Sequence, residues 1–312
     1  MRSLPSNNFT FALLLFVVLL WGINVVMLKY LTGFFPPLAL APIRLSLATA
    51  LLFPVVLYKQ GFVIPTAASF LPILGVATFS IYLHQISLSW GISQTSSTHA
   101  SLILGLNPLL TTVLASSLMK ERFSAAKALG ILLGFSGVAL VVSGGNTDAS
   151  TLSGDAVMLV ATITFALGSL FVKKSTATLS PLIVTAYSHG LASFGLLVTG
   201  GLVNTDWHYP GAFEPLPILV LLFSSFVNTA LGALWWNTGI QQVGAATASL
   251  FLNATPVFGV FAAALFLGES LNWSHFAALL LVITGVSFGT GLIGAKRWPE
   301  GKKVEKKLSP IR

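Results

Sequence analysis

No cysteine occurs in the 312 residues, which removes disulfides, thiolate metal sites and cysteine nucleophiles together. Charge is almost as scarce. Only 8% of the residues are charged, against about 25% in a soluble domain, so the surface is not built to face water. Acidic residues number eight against sixteen basic ones, and none lies midway along an apolar run. Nucleotide loops, zinc-ligand spacing, a Gly-x-Ser-x-Gly elbow and paired carboxylates are missing too. Nothing reads as an enzyme, and no cofactor or metal is expected.

What the chain does contain is hydrocarbon, at 55% hydrophobic residues and a mean hydropathy of +0.89. Apolar runs of 18 or more residues read as transmembrane helices in a lipid bilayer. Ten spans fit, at about 9–31, 37–58, 69–92, 97–119, 124–144, 154–173, 181–203, 216–239, 246–267 and 274–294. The first is too long for a signal-peptide core and lacks a small-residue cleavage site, so it reads as an uncleaved span. The net charge of +8 sits in short loops and in the last seventeen residues. With a cytoplasmic amino terminus, fourteen basic residues fall inside and only Lys29 outside. That is the positive-inside pattern of a membrane protein rather than a nucleic-acid face.

The chain also repeats. Ala100–Val138 recurs without a gap 148 residues later as Ala248–Val286, pairing Ser101 with Ser249, Pro108 with Pro256 and Glu121 with Glu269. Earlier spans match at an offset of 144, where Pro37 meets Pro181 and Arg44 meets Ser188. Five spans per repeat is an odd number, so the two copies must enter the membrane in opposite directions. The expected fold is therefore an all-α membrane protein, ten transmembrane helices as two inverted five-helix repeats with both termini cytoplasmic. The repeats cover 1–144 and 145–295, and 296–312 is a basic cytoplasmic tail. Inverted repeats place a substrate site near midplane between the halves.

Polar residues inside spans are expensive and mark candidates for that site. They are Trp21 and Asn24 in the first span; Tyr82, His84, Gln85 and Ser89 in the third; Ser101 and Thr112 in the fourth; Thr164 and Ser169 in the sixth; Asn228, Trp235, Trp236 and Asn237 in the eighth; and Ser249 and Asn253 in the ninth, with Asn107 beside Pro108. Tyr82, Gln85 and Ser89 share a face at helical spacing. Pro108 and Pro256, midway along spans four and nine, free the carbonyls of Leu104 and Leu252 and predict kinks that could gate a pathway. Arg44 is the one charged residue deep in a span, and it either neutralises an anionic solute or packs on backbone carbonyls and snorkels outward. His84 and His189 are the protonatable groups at midplane. Gly130, Gly134 and Gly137 permit close helix packing, within the bundle or in a possible homodimer.

These residues carry a family resemblance. Trp21-Gly22-x-Asn24, Pro37-Leu38-x-Leu40 leading to Arg44, Ala100-Ser101-Leu102 with Asn107-Pro108, Ala248-Ser249-Leu250, Pro256 and Leu267-Gly268-Glu269 resemble the EamA branch of the drug/metabolite transporter superfamily. The chain departs from the pattern at Lys120-Glu121-Arg122, where the family usually has Gly-Glu. The resemblance implies a ten-helix exporter of small metabolites, often amino acids or related compounds, in the cell membrane. It implies that spans one, three, four, six, eight and nine line a central cavity, and by position points to Trp21, Asn24, Tyr82, His84, Gln85, Ser101, Asn107, Trp235, Ser249 and Asn253. Two other classes fit the same chain: a broad multidrug efflux pump, and a non-transporting scaffold or sensor. Neutral polar lining suits a zwitterion or uncharged solute better than a strong dianion, which would need several Arg or Lys.

Overall fold

The computed structural model describes residues 7–119, 125–143, 151–203 and 209–289. The tail expected at 296–312 and the first-half hinge at Glu121 lie outside them. All regular structure among the described residues is helical: α1 (Asn7–Leu31), α2 (Pro37–Gln60), α3 (Ala67–Gln94), α4 (Ser97–Leu104), α5 (Asn107–Met119), α6 (Ala125–Ser143), α7 (Leu152–Thr176), α8 (Pro181–Val203), α9 (Pro215–Val243), α10 (Ala245–Phe251), α11 (Thr255–Leu267) and α12 (Trp273–Gly289). A 3-10 turn, Leu252–Ala254, joins α10 to α11. Among the described residues seven helices are long and apolar enough to cross a membrane: α1, α2, α3, α7, α8, α9 and the joined α10–α11 stretch from Ala248 to Leu267. In hydrocarbon a backbone can satisfy its polar groups only internally, so apolar runs of this length become helices.

Local chemistry sets the helix ends. Pro37 and Pro215 occupy first-turn positions, where a missing N–H costs nothing. Ser96 caps α4 by accepting from the His99 N–H at 3.0 Å, and Thr151 caps α7 from the Gly154 N–H at 3.0 Å. Gly268 ends α11 in the left-handed conformation, φ 67°, and so delivers Glu269 to the start of α4.

The repeat is visible in the element boundaries. Helices α4 and α10 start at Ser97 and Ala245, α5 and α11 at Asn107 and Thr255, α6 and α12 at Ala125 and Trp273, all 148 residues apart. Wide π-helical turns interrupt α3 at Val76–Leu83 and α9 at Ser224–Leu231, again 148 apart. Neither π segment has a proline or glycine inside it, and the hydrophobic pattern did not announce them.

Equivalent helices of the two halves run antiparallel against each other. On α2 and α8, the Ser46 and Ser193 hydroxyls are bonded at 2.9 Å and the Phe53 and Tyr187 rings lie 5.7 Å apart. On α6 and α12, a Cβ at Gly285 would lie 2.5 Å from the Gly134 nitrogen, and one at Gly137 would lie 2.8 Å from the Ala278 carbonyl. The glycine stripe of α6 is thus used inside the bundle, against α12. Apolar side chains such as Leu132, Phe194 and Leu265 point outward, 65%, 72% and 76% exposed, as a lipid-facing surface requires.

The prolines do not kink continuous helices. Pro108 is the second residue of α5 and Pro256 the second of α11, so each begins a helix after a break rather than bending one. At the second break the Leu252 carbonyl accepts from the Thr255 N–H in the 3-10 turn, so it is not left free as a mid-helix proline would leave it.

Candidate functional site

At the centre of the bundle, between the halves, α1, α2, α3, α7, α8 and α9 and the breaks between α4 and α5 and between α10 and α11 enclose a cavity. It leaves about 130 Å³ open to the centres of water molecules, several times the ~10–15 Å³ one water needs. Trp21, Asn24, His84, Gln85 and Asn107 border it. The other expected lining residues are placed elsewhere. The Tyr82 hydroxyl bonds Thr199 on α8 at 2.7 Å. Ser101 donates to its own helix at the Ser97 carbonyl, 2.7 Å, and packs against Gly259. Trp235 lies 5.9 Å from Phe16, and its neighbour Trp236 takes the place on the cavity wall. Ser249 and Asn253 are on α10 and the 3-10 turn, outside the wall, with the Asn253 side-chain oxygen buried and unpartnered.

The π turn explains why Tyr82 and Gln85 part company. Each extra residue in a turn rotates the following face by about 100°, so the helical spacing that aligned them does not survive Val76–Leu83. In α9 the same device exposes backbone. Where π geometry returns to α, one carbonyl loses its intrahelical donor; the Gly232 N–H bonds Val227, and the Asn228 carbonyl accepts from Trp21 Nε1 at 3.1 Å. Trp21 is held there by rings on either side, Trp236 at 5.1 Å and Phe165 at 5.8 Å edge-on. One wall is therefore aromatic.

The polar part of the lining is tied together. Arg44, 2% exposed, donates from Nε to Ser224 Oγ at 3.0 Å, from Nη2 to Thr229 Oγ1 at 2.8 Å and from Nη1 to Gln85 Oε1 at 3.3 Å. Ser224 passes its own proton to Asn24 Oδ1 at 2.6 Å, and Thr229 passes its to the Ser224 carbonyl at 2.9 Å. Arg44 thus neither snorkels nor packs on carbonyls; it faces the cavity. His84 donates from Nδ1 to the Ala161 carbonyl at 2.8 Å, and His189 to the Thr185 carbonyl at 2.8 Å. Asn107 reaches the Thr162 carbonyl at 3.4 Å and accepts from Thr111. Among the described residues no carboxylate borders the cavity.

The family model of the EamA-like transporters matches residues 8–143 and 152–290, one copy on each half. The chain belongs to the EamA-like transporter family. It is 32% identical to the uncharacterized transporter YyaM of Bacillus subtilis over 280 residues, covering 85% of this chain and 88% of the relative. It is 25% identical over 289 residues to a Salmonella typhimurium protein named a probable amino-acid metabolite efflux pump, covering 88% and 92%. A crystal structure that is 16% identical superposes at a TM-score of 0.67 and covers 91% of this EamA protein and 98% of the other chain; it speaks for the fold. This is a multi-pass membrane transporter, not an enzyme.

A second polar cluster lies at one end of the EamA bundle, where α1, α3 and α11 finish and α4, α7 and α12 begin. Glu269 accepts from the Ser97 and Thr98 N–H groups at 2.7 and 2.9 Å. Lys29 Nζ donates to the carbonyls of Ile92 at 3.1 Å and Thr95 at 2.6 Å. Asp155, 5% exposed, accepts from His99 Nδ1 at 3.0 Å and from the Thr95 hydroxyl. Acid at helix starts and base at a helix end match the helix dipoles. The joining role of Asp155 and Glu269 needed the three-dimensional arrangement.

Proposed function

We propose that this protein exports small organic metabolites, amino acids or related compounds, from the cytoplasm by alternating access through the central cavity. Ten spans in two inverted five-helix repeats, 1–144 and 145–295, carry the movement, with both termini cytoplasmic and the chain in the cytoplasmic membrane. Support for the ten-span reading comes from α4 with α5 and α10 with α11, which make two broken spans, and from α6 and α12 as two shorter ones. Support for inversion comes from the antiparallel packing of α2 on α8 and α6 on α12. Halves related this way can exchange an outer for an inner opening by rocking about a central site.

The observation that carries the reading is the cavity between the halves, lined by both aromatic and hydrogen-bonding side chains, beside two helix breaks. Trp21 and Trp236 offer faces to an apolar side chain, while Asn24, Gln85 and Asn107 orient polar groups. Breaks at Pro108 and Pro256 serve as hinges, and the Glu269 clamp closes the outer end. The test is exchange into proteoliposomes from pooled labelled amino acids, sugars, nucleosides and cationic drugs, repeated with Gln85→Ala. Movement of amino acids, weakened in the variant, is expected. Movement of lipophilic drugs alone would replace this reading with multidrug efflux, and movement of nothing with a scaffold or sensor.

A further inference from the structure

Arg44 carries a full positive charge into the middle of the bundle, and among the described residues no carboxylate is bonded to it. Three carboxylates lie among the described residues. Asp155 and Glu269 are engaged in the clamp at the bundle end, and Glu214 is exposed at the start of α9. What surrounds the guanidinium is neutral: Ser224, Thr229 and Gln85 take three of its five N–H groups. A buried ion whose partners are hydroxyls and an amide is poorly compensated. Membrane proteins keep such a residue where a pathway needs it. Ser224 and Thr229 each pass their own proton onward, so their oxygen lone pairs point at Arg44, and the chain fixes the planar fork against the cavity wall.

The cavity lining holds further unmet valence. The side-chain oxygens of Asn228 and Thr255 and the Trp236 Nε1 are buried without a partner. Asn228 and Thr255 can accept hydrogen bonds where Arg44 can only donate.

We propose that Arg44 is the carboxylate anchor of the cavity, and that the solute is a monocarboxylate that also carries a hydrogen-bond donor, as an amino or hydroxy acid does. One unpaired cation matches one carboxylate, whose two oxygens fit the guanidinium fork. Asn228 and Thr255 receive the donor of the solute, and the aromatic wall takes its side chain. An organic cation would meet Arg44 as a like charge and be rejected. This inference rests on the transport reading above and adds the class of solute and the residue that selects it.

The experiment compares matched compounds in wild-type proteoliposomes: pooled L-amino acids and their 2-hydroxy acid analogues, against the corresponding carboxamides and decarboxylated amines. The acids are expected to exchange at least 100-fold faster than amides or amines at equal concentration. Arg44→Gln should abolish that preference. Arg44→Lys, which keeps the charge but not the fork, should raise KM for the acids about tenfold and leave kcat within about twofold. It also serves if the Gln variant does not fold. Equal movement of acids and amides in the wild type, or an unchanged KM in Arg44→Lys, would overturn the anchor while leaving the transporter reading intact. If no compound moves in the wild type, the transport reading fails and the anchor fails with it.

Discussion

Glu269 joins the two halves at one end of the bundle, and removing it should loosen that end by a calculable amount. Its carboxylate accepts from two backbone N–H groups, at 2.7 and 2.9 Å, on Ser97 and Thr98, which are 0% and 2% exposed. Bonds to a charged group contribute about 1.5–3 kcal/mol each, and a buried N–H left unpaired costs about 1–3 kcal/mol. Glu269 itself is half-buried, so water can replace part of what is lost. Glu269→Ala should therefore cost about 2–4 kcal/mol, and Glu269→Gln, which keeps an accepting oxygen, about half of that. Melting in detergent, followed by the fluorescence of the seven tryptophans, should fall by on the order of 5 °C for Glu269→Ala. The absence of native cysteine allows a second reading. A single Leu104→Cys on the cavity wall should react with a membrane-impermeant maleimide roughly thirtyfold faster from the Glu269 side once the clamp is gone, the factor that about 2 kcal/mol gives. Unchanged melting together with unchanged labelling would show that the carboxylate does not hold the halves together.

Asp155→Asn removes the charge that His99 and Thr95 share inside the bundle; it should cost about 3 kcal/mol, seen as a lower melting temperature with the secondary-structure signal intact. Gly168→Ala places a Cβ 2.3 Å from the Ser80 Cβ and 2.4 Å from its Cα and nitrogen. Backbone cannot step aside, so overpacking of about 1–3 kcal/mol is expected, with wild-type-like melting as the refuting result. Trp21→Phe keeps a ring between Trp236 and Phe165 but leaves the Asn228 carbonyl without its donor; a loss of about 1–2 kcal/mol is expected, and recovery of full stability would discount that bond.

Much of the architecture was readable as text because bilayer physics leaves a chain few choices. Apolar length marked helices such as α1, α2, α7 and α8 to within a few residues, and the gapless match from Ala100 to Val138 foretold boundaries repeating 148 residues apart. Hydrophobicity cannot record how the backbone is wound. The π turns in α3 and α9 leave the same apolar pattern as an α-helix, yet they turn Tyr82 toward Thr199 and aim Asn228 and Thr229 at the cavity. A proline in a run likewise marks a discontinuity without saying whether the helix bends or stops. Among the expected site residues, Trp21, Asn24, His84, Gln85 and Asn107 border the cavity, the first four being aromatic or polar groups that are costly to place inside a span. Trp235 and Trp236 are both candidates in the sequence, and the family resemblance points to Trp235; Trp236 borders the cavity, since two adjacent tryptophans carry no sign of which faces inward. Arg44 was visible but ambiguous, since only its partners distinguish a snorkelling cation from one turned toward a solute.

The pairing of α6 with α12 also sets an order in time. The stripe of Gly130, Gly134 and Gly137 is completed by a helix that begins at Trp273, so α6 emerges from the ribosome well before its partner has been made. At about 5–20 residues per second the delay is on the order of 10 s, during which that notch faces lipid or whatever insertion factor stands beside it. Assembly of the first repeat is therefore finished by the last helix of the second. Shortening the chain before Trp273 would leave the defect in α6, in the half that was translated first.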